Sequence, residues 1–343
     1  MYILNPLMYI DLEDDNNLII TIPQKSPVLI EEDTEIILNI LESFIQPSDI
    51  TTVYNQVISK FPLSKRKFRK IVDDMINLNF IKTAKTDTIN DEFEKKYSRQ
   101  LNLFSNLESI NEDESLEIQK KIMNSSILVI GVGGVGTYVC NSLVRMGVGN
   151  ITIIDHDIIE DSNLSRQPLY YRDDIGKCKV NVAQENLQKI NPSANINIFN
   201  KKIKNIYDLS SITSKVKPDI IVCCADKPRG EIQVIVDQVS QKNNIAWILG
   251  GPHGLDKIAI GPLFIPQKTK SYLDIFGFPK SNKYINNINN NMISAVIDPF
   301  NGIAGLLIST EVIKYLTSYQ EPCIKDSCII FNTMNWSTNK YEL

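Results

Sequence analysis

The stretch ILVIGVGGVGTYVC, residues 127–140, runs from an apolar segment through four glycines and back into apolar residues. Gly131, Gly133 and Gly136 stand in the spacing GxGxxG, with Gly134 inside the same turn. Placed between a buried strand and a helix, such a turn lets backbone N–H groups and the helix N-terminus approach a phosphate, because no side chain intervenes. Asp155 closes the next apolar run, NITIIDHD. That is close to the roughly 20-residue offset at which a carboxylate accepts hydrogen bonds from ribose hydroxyls. Up to this point NAD, FAD and ATP fit equally well, so an NAD-dependent oxidoreductase and a nucleotide-activating enzyme both remain open.

Outward from the turn, apolar runs alternate with amphipathic segments: a helix through Cys140 to Met146, the strand ending at Asp155, a helix over Val180 to Ile190, then the strand DIIVCCAD. This rhythm predicts an α/β fold with a parallel, Rossmann-like sheet and crossover helices. The chain has 343 residues, 43% hydrophobic and 22% charged, enough for two domains. We expect residues 1–88 to form a separate domain, 89–119 a polar linker, and 120–343 the nucleotide-binding domain, with a mobile Asn-rich loop at about 280–295. The formal charge of −4 argues against general affinity for nucleic acid or anionic membrane. The N-terminus, MYILNPLMYIDLEDD, lacks the pattern of a signal peptide, and no run approaches the roughly 18 apolar residues of a membrane helix. A cytoplasmic location is therefore expected. Six scattered cysteines without a CxxC pair read as reduced thiols, with no zinc site.

SNLSRQ at 162–167, GKCK at 176–179 and CCADKP at 223–228 decide between the cofactors. They add Arg166, Lys179 and a second strand-end carboxylate, Asp226. A dinucleotide has little use for two cations and a metal ligand. A triphosphate does: Arg and Lys neutralise its phosphates as pyrophosphate departs, and a carboxylate suits Mg²⁺.

These motifs, with YSRQLNL at 97–103 and INPS at 190–193, resemble the ThiF/MoeB and ubiquitin-activating superfamily of adenylating enzymes. The resemblance implies ATP and Mg²⁺ as cofactors. It assigns Asp155 to the ribose, Asn163, Arg166 and Lys179 to the phosphates, and Asp226 to Mg²⁺. It also implies a homodimer in which Arg99 reaches into the partner subunit's ATP site. Lys257 and His253, in GGPHGLDK, fall where the family places its acceptor. Residues 255–300 contain no cysteine, which speaks against thioester transfer.

The N-terminal 88 residues read as three short strands (Tyr2 to Leu12, Leu18 to Ile22, Pro27 to Ile30) before three helices, the order of a winged-helix domain. KRKFRK at 65–70 is one basic run in an acidic chain, so a solvated helix face is preferred over a DNA-binding one. The layout resembles the PqqD-like domain that holds the leader of a ribosomally made precursor peptide by strand addition, here at about 26–31 and 64–79. RQPLYYRDDIGK at 166–177, IGPLFIPQKT at 260–269 and FNGIAGLLISTEVIKYLTSYQEP at 300–322 resemble the peptide-modifying branch that makes microcin C and pantocin A. That likeness implies adenylation of peptide carboxyl groups. The zinc cysteines of microcin C enzymes are missing here. The reading therefore leans to dehydrative cyclisation of glutamates, with AMP left on the peptide C-terminus as the alternative and an NAD-dependent oxidoreductase as a more distant one.

Overall fold

The computed structural model describes residues 1–14, 17–23, 25–84, 92–107, 112–228, 230–278 and 295–343. The loop expected at 280–295 falls almost wholly outside them. The chain divides into two compact units, Met1–Ser98 and Arg99–Leu343.

The first unit holds β1 (Tyr2–Leu4), β2 (Tyr9–Asp14), β3 (Asn17–Thr21), β4 (Val28–Ile30), α1 (Thr34–Ser43), α2 (Ile50–Ile58), α3 (Lys65–Asn77) and β5 (Ile81–Thr83). The run expected as one strand from Tyr2 to Leu12 is two. β1 pairs with β5, and β2 joins β3 and β4 in a three-stranded antiparallel sheet. The break falls at Asn5–Pro6, where proline has no N–H to offer a ladder. There the buried Asn5 side chain donates to the Asn79 carbonyl at 2.9 Å and accepts from Leu7 N–H at 3.0 Å. On α3 the buried Phe68, Val72 and Met75 recur at helical spacing and face a core built with Ile40, Phe44 and Val57. Ser64 caps the same helix by accepting from Lys67 N–H. The basic run lies on its exposed face, where Lys67 pairs with Asp33 and Arg69 with Asp73.

The segment from 89 to 119 carries α4 (Glu92–Ser105) and the start of α5 (Glu112–Asn124), with the division between the units inside α4. The second unit continues through β6 (Ser126–Ile130), α6 (Gly134–Arg145), β7 (Asn150–Asp155), α7 (Lys179–Ile190), β8 (Asn195–Asn200), α8 (Ile206–Val216) and β9 (Ile220–Cys223). After these come α9 (Glu231–Asn243), β10 (Ala246–His253), β11 (Lys257–Phe264), α10 (Tyr272–Phe276), α11 (Asp298–Thr317), β12 (Ser327–Asn332) and β13 (Thr338–Glu342). The eight strands form one mixed sheet in the order β13-β12-β11-β10-β9-β6-β7-β8. β6 to β10 run parallel; β11, β12 and β13 extend the sheet antiparallel.

Alternation along β6 explains the layering. Ile127 and Val129 face a core shared with α5, α6, α7 and α11, while Leu128 and Ile130 face one shared with α8 and α9. α11 lies close against α6 because Gly302 and Gly305 leave room: a Cβ on Gly305 would stand 2.6 Å from the Tyr138 Cβ. Among the described residues no helix is long and apolar enough to cross a membrane.

Candidate functional site

From β6 the chain moves to one side, through β7 and β8, and then returns across the sheet to β9 and β10. The carboxyl ends of β6 and β9 therefore flank the point where the winding reverses, which is where open α/β sheets bind ligands. Gly131 leaves β6 at a φ of +87° and donates its N–H to the Ile154 carbonyl at 2.8 Å. A Cβ there would lie 2.9 Å from the Ala225 nitrogen, and one on Gly136 only 2.0 Å from the Gly131 carbonyl oxygen. Both positions need glycine on steric grounds alone. Gly133 is the N-cap of α6 and stays open, its nearest neighbour being the Gln167 carboxamide. Gly134 is covered by Asn301 from α11, whose Oδ1 lies 2.7 Å from an added Cβ.

The turn is held from both sides at one residue. Val132 N–H donates to Asp155 Oδ2 at 2.8 Å, and the Val132 carbonyl accepts from the buried Tyr170 hydroxyl at 2.8 Å. Burial, and next the charge of Asp155, push the Tyr170 phenol far above its usual range, so it remains a donor. Asp155 thus stands at the turn and fixes its shape. Its Oδ1 accepts from Asp157 N–H at 2.9 Å. Each carboxylate oxygen keeps a lone pair for a ribose hydroxyl.

The charged residues are held differently. Asn163 is buried in a short 3₁₀ turn, its Oδ1 accepting from Glu160 N–H at 3.2 Å. Arg166 folds back on the same turn, donating from Nη1 to the Ser162 carbonyl at 2.7 Å. Lys179 opens α7 with its side chain only 7% exposed and its Nζ 3.1 Å from Asp157 Oδ2. Asp226 follows β9 on the surface and has no hydrogen bond or ion pair among the described residues. A free, exposed carboxylate is the hard oxygen donor that Mg²⁺ favours, so the residue type fits that ion. His253 and Lys257 face each other across the β10–β11 hairpin, both exposed. β10 reaches that hairpin past the start of α6, where a Cβ on Gly251 would touch Val135 Cγ2 at 3.6 Å. Arg99 is exposed on α4.

Contacts therefore gather Gly131, Gly133, Gly134, Gly136, Asp155, the 162–167 segment, Lys179 and the strand leading to Asp226 at the carboxyl ends of the central strands. Among the described residues Arg99 makes no hydrogen bond or ion pair with them. Four residues here lie in quoted stretches but receive no role in the sequence reading: Asp157, Gln167, Tyr170 and Asn301. Tyr170 and Gln167 sit in a quoted motif, but only the fold shows that they face the turn. Asn301 is followed by Gly302 and Gly305, a small-residue face that signals close helix packing. Asp155, His156 and Asp157 offer ligand atoms within 4.8 Å of one another at the end of β7, with Asp157 engaged by Lys179. Burial pushes the thiols of Cys140 and Cys223 up to about 12, and Cys224 also well above its usual value, so none is a ready nucleophile at neutral pH.

The model of the ThiF family matches residues 97–343. A probable molybdopterin-synthase adenylyltransferase of Porphyra purpurea is 32% identical over 273 residues, covering 78% of this chain and 64% of that protein. The sulfur carrier protein ThiS adenylyltransferase of Escherichia coli is 25% identical over 234 residues, 68% of this chain and 86% of that one. The chain spans less than two thirds of the length of the first of these curated relatives, and about half of several others. Among solved structures, E. coli MccB with AMPCPP and MccA superposes with a TM-score of 0.74 at 25% identity, covering 99% of this chain and 96% of that one. PaaA has the same fold, with a TM-score of 0.74 at 19% identity over 98% of both chains.

Proposed function

We take as premise what the match over residues 97–343 shows, that the chain belongs to the ThiF family, and we propose that it is an ATP-dependent adenylating enzyme acting on carboxyl groups of a ribosomally made precursor peptide. The observation that carries this reading is Lys179. A buried cation, tied through Asp157 to the carboxylate that shapes the glycine turn, serves a phosphate chain that must lose pyrophosphate; hydride transfer has no need of it. Similarity to MccB, solved with AMPCPP and MccA, supports a nucleotide and a peptide as joint substrates.

In this reading the turn's N–H groups and the start of α6 hold the phosphates, and Asp155 holds the ribose. Arg166 and Lys179, with Asn163 shaping their turn, neutralise charge on the departing pyrophosphate. Asp226 would hold Mg²⁺, which supplies further neutralisation of the phosphates when bound. The substrate carboxylate attacks the α-phosphorus; its new O–P bond replaces the bond to pyrophosphate, giving an acyl adenylate. The carboxylate is already ionised at neutral pH, so no side-chain base is needed, and rate comes from positioning and charge stabilisation. Lys257 steers the incoming carboxylate, and His253 is placed for proton transfer in later steps. Arg99 acts in a second copy's site, making the enzyme a homodimer. The first unit holds the leader peptide along about 26–31 and 64–79. β4 is a sheet edge, able to receive an added strand.

For the fate of the adenylate we favour dehydrative cyclisation, in which a neighbouring group displaces AMP. Where the resemblance to the microcin C branch implies a zinc-binding cysteine pair, this sequence has none. Here TKSYLDIF at 269–276 is anchored by the buried Asp237, which accepts from Tyr272 N–H at 3.0 Å and Leu273 N–H at 3.3 Å, beside the stacked Trp247 and Phe264. The test follows product mass and nucleotide together, with ATP and the precursor peptide. AMP release with loss of water is the expected result. A mass gain of one nucleotide monophosphate would favour AMP retention, and NADH binding without nucleotide consumption would overturn the adenylation reading altogether.

A further inference from the structure

Gln167 is 4% exposed, and its Oε1 is sealed from solvent without a hydrogen-bond partner. Its Nε2 makes no hydrogen bond among the described residues and lies 3.9 Å from where a Cβ of Gly133 would stand. Gln119 provides the contrast: its carbonyl is also buried without a partner, but its NH₂ is tied to the Met146 carbonyl at 2.9 Å. Gln167 has neither end tied. A buried, unpaired amide costs a fold roughly 1–3 kcal/mol and calls for a functional explanation; an anion would complete its NH₂ end, which faces Gly133, and not the sealed carbonyl. The gap between this carboxamide and the bare Cα of Gly133 is the space that glycine leaves open at the helix start. An anion there would receive the N–H donors at the start of α6 from one side and a carboxamide donor from the other.

We propose that Gln167 is a nucleotide-contacting residue whose NH₂ donates to the phosphate chain over Gly133. This rests on the ATP reading above. The backbone around it supports the placement: Tyr170 N–H donates to the Gln167 carbonyl at 3.1 Å, and Tyr170 is the residue clamping Val132. The segment that carries Gln167 is thus pinned to the glycine turn independently of any ligand, which pre-positions the amide.

The test uses the full chain and Mg·ATP, with affinity by calorimetry and melting temperature without nucleotide. Gln167→Met keeps the shape and removes the unpaired polar group. We expect ATP to bind about 10-fold more weakly or worse, while the nucleotide-free protein melts no lower than wild type. Gln167→Glu, which places a carboxylate against phosphate, should bind more weakly still. ATP affinity within twofold of wild type in Gln167→Met overturns the proposal, and so does a parallel fall of melting temperature and affinity, which marks a packing role. Lys179→Met run alongside separates the two readings. If it loses ATP and Gln167→Met does not, only the Gln167 proposal falls; if wild type binds no ATP, the adenylation reading falls and takes this one with it.

Discussion

The glycine turn and the charged segment beside it are built on opposite plans. In the turn every contact is made in advance: Val132 is bonded on both faces, Gly131 is tied to Ile154, and Gly136 packs against a carbonyl with no space to spare. In the charged segment the functional ends are parked. Arg166 rests on its own turn, Lys179 on Asp157, and Asp226 on nothing among the described residues. Backbone donors can be preorganised cheaply, because they belong to the fold. Long cationic side chains meant for a phosphate, as proposed here, must be paired in its absence.

The largest effect should follow from breaking the rigid half. Gly136→Ala places a methyl 2.0 Å from a backbone oxygen, a clash that no rotamer relieves. We expect a loss above about 4 kcal/mol, enough to abolish cooperative unfolding of the second unit. Gly176→Ala is the control. That glycine has positive φ, +88°, which helical Gly136 does not, and nothing lies within 4 Å of an added Cβ, so its cost should stay near 1 kcal/mol. Thermal melts of the two variants separate packing from conformational strain. Equal losses would mean that the turn is not held as described.

Next comes the parked half, where stability and turnover should part company. Lys179→Met removes a buried cation whose partner, Asp157, has 54% of its side chain exposed and can be rehydrated. We expect the melting temperature to hold while AMP production falls on the order of 100-fold, the effect of losing one charge contact that strengthens as pyrophosphate leaves. Arg166→Ala should behave alike. A variant that unfolds instead would place Lys179 with the glycines, as a structural residue.

This division also explains what could be read before folding. Gly131, Gly133, Gly136 and Asp155 are legible because turn and strand end are local, and their spacing is dictated by backbone geometry. Asn301 is not, being 167 residues from Gly134 in the chain yet lying against it. Nor is Tyr170, whose hydroxyl finds Val132 across 38 residues. β8 escaped notice because NINIFN alternates asparagine with apolar residues, as suits the sheet edge it occupies. In the first unit, Tyr2 to Leu12 looked continuous because pairing of β1 with β5 depends on a strand about 80 residues away.

The smallest expected effect tests how firmly the charges are parked. On the proposed reading Asp157 competes with phosphate for Lys179, and it also fixes the start of α7 through its own carbonyl, which accepts Lys179 N–H at 3.0 Å. Asp157→Asn keeps that backbone bond and the side-chain shape while removing the charge. Because the carboxylate is half exposed, solvent and salt screen much of its pull. The variant should therefore bind Mg·ATP only about two- to fivefold more tightly, and the gain should fade as salt rises. Weaker binding would show that Asp157 aims the lysine rather than withholding it, and the segment would then be preorganised after all.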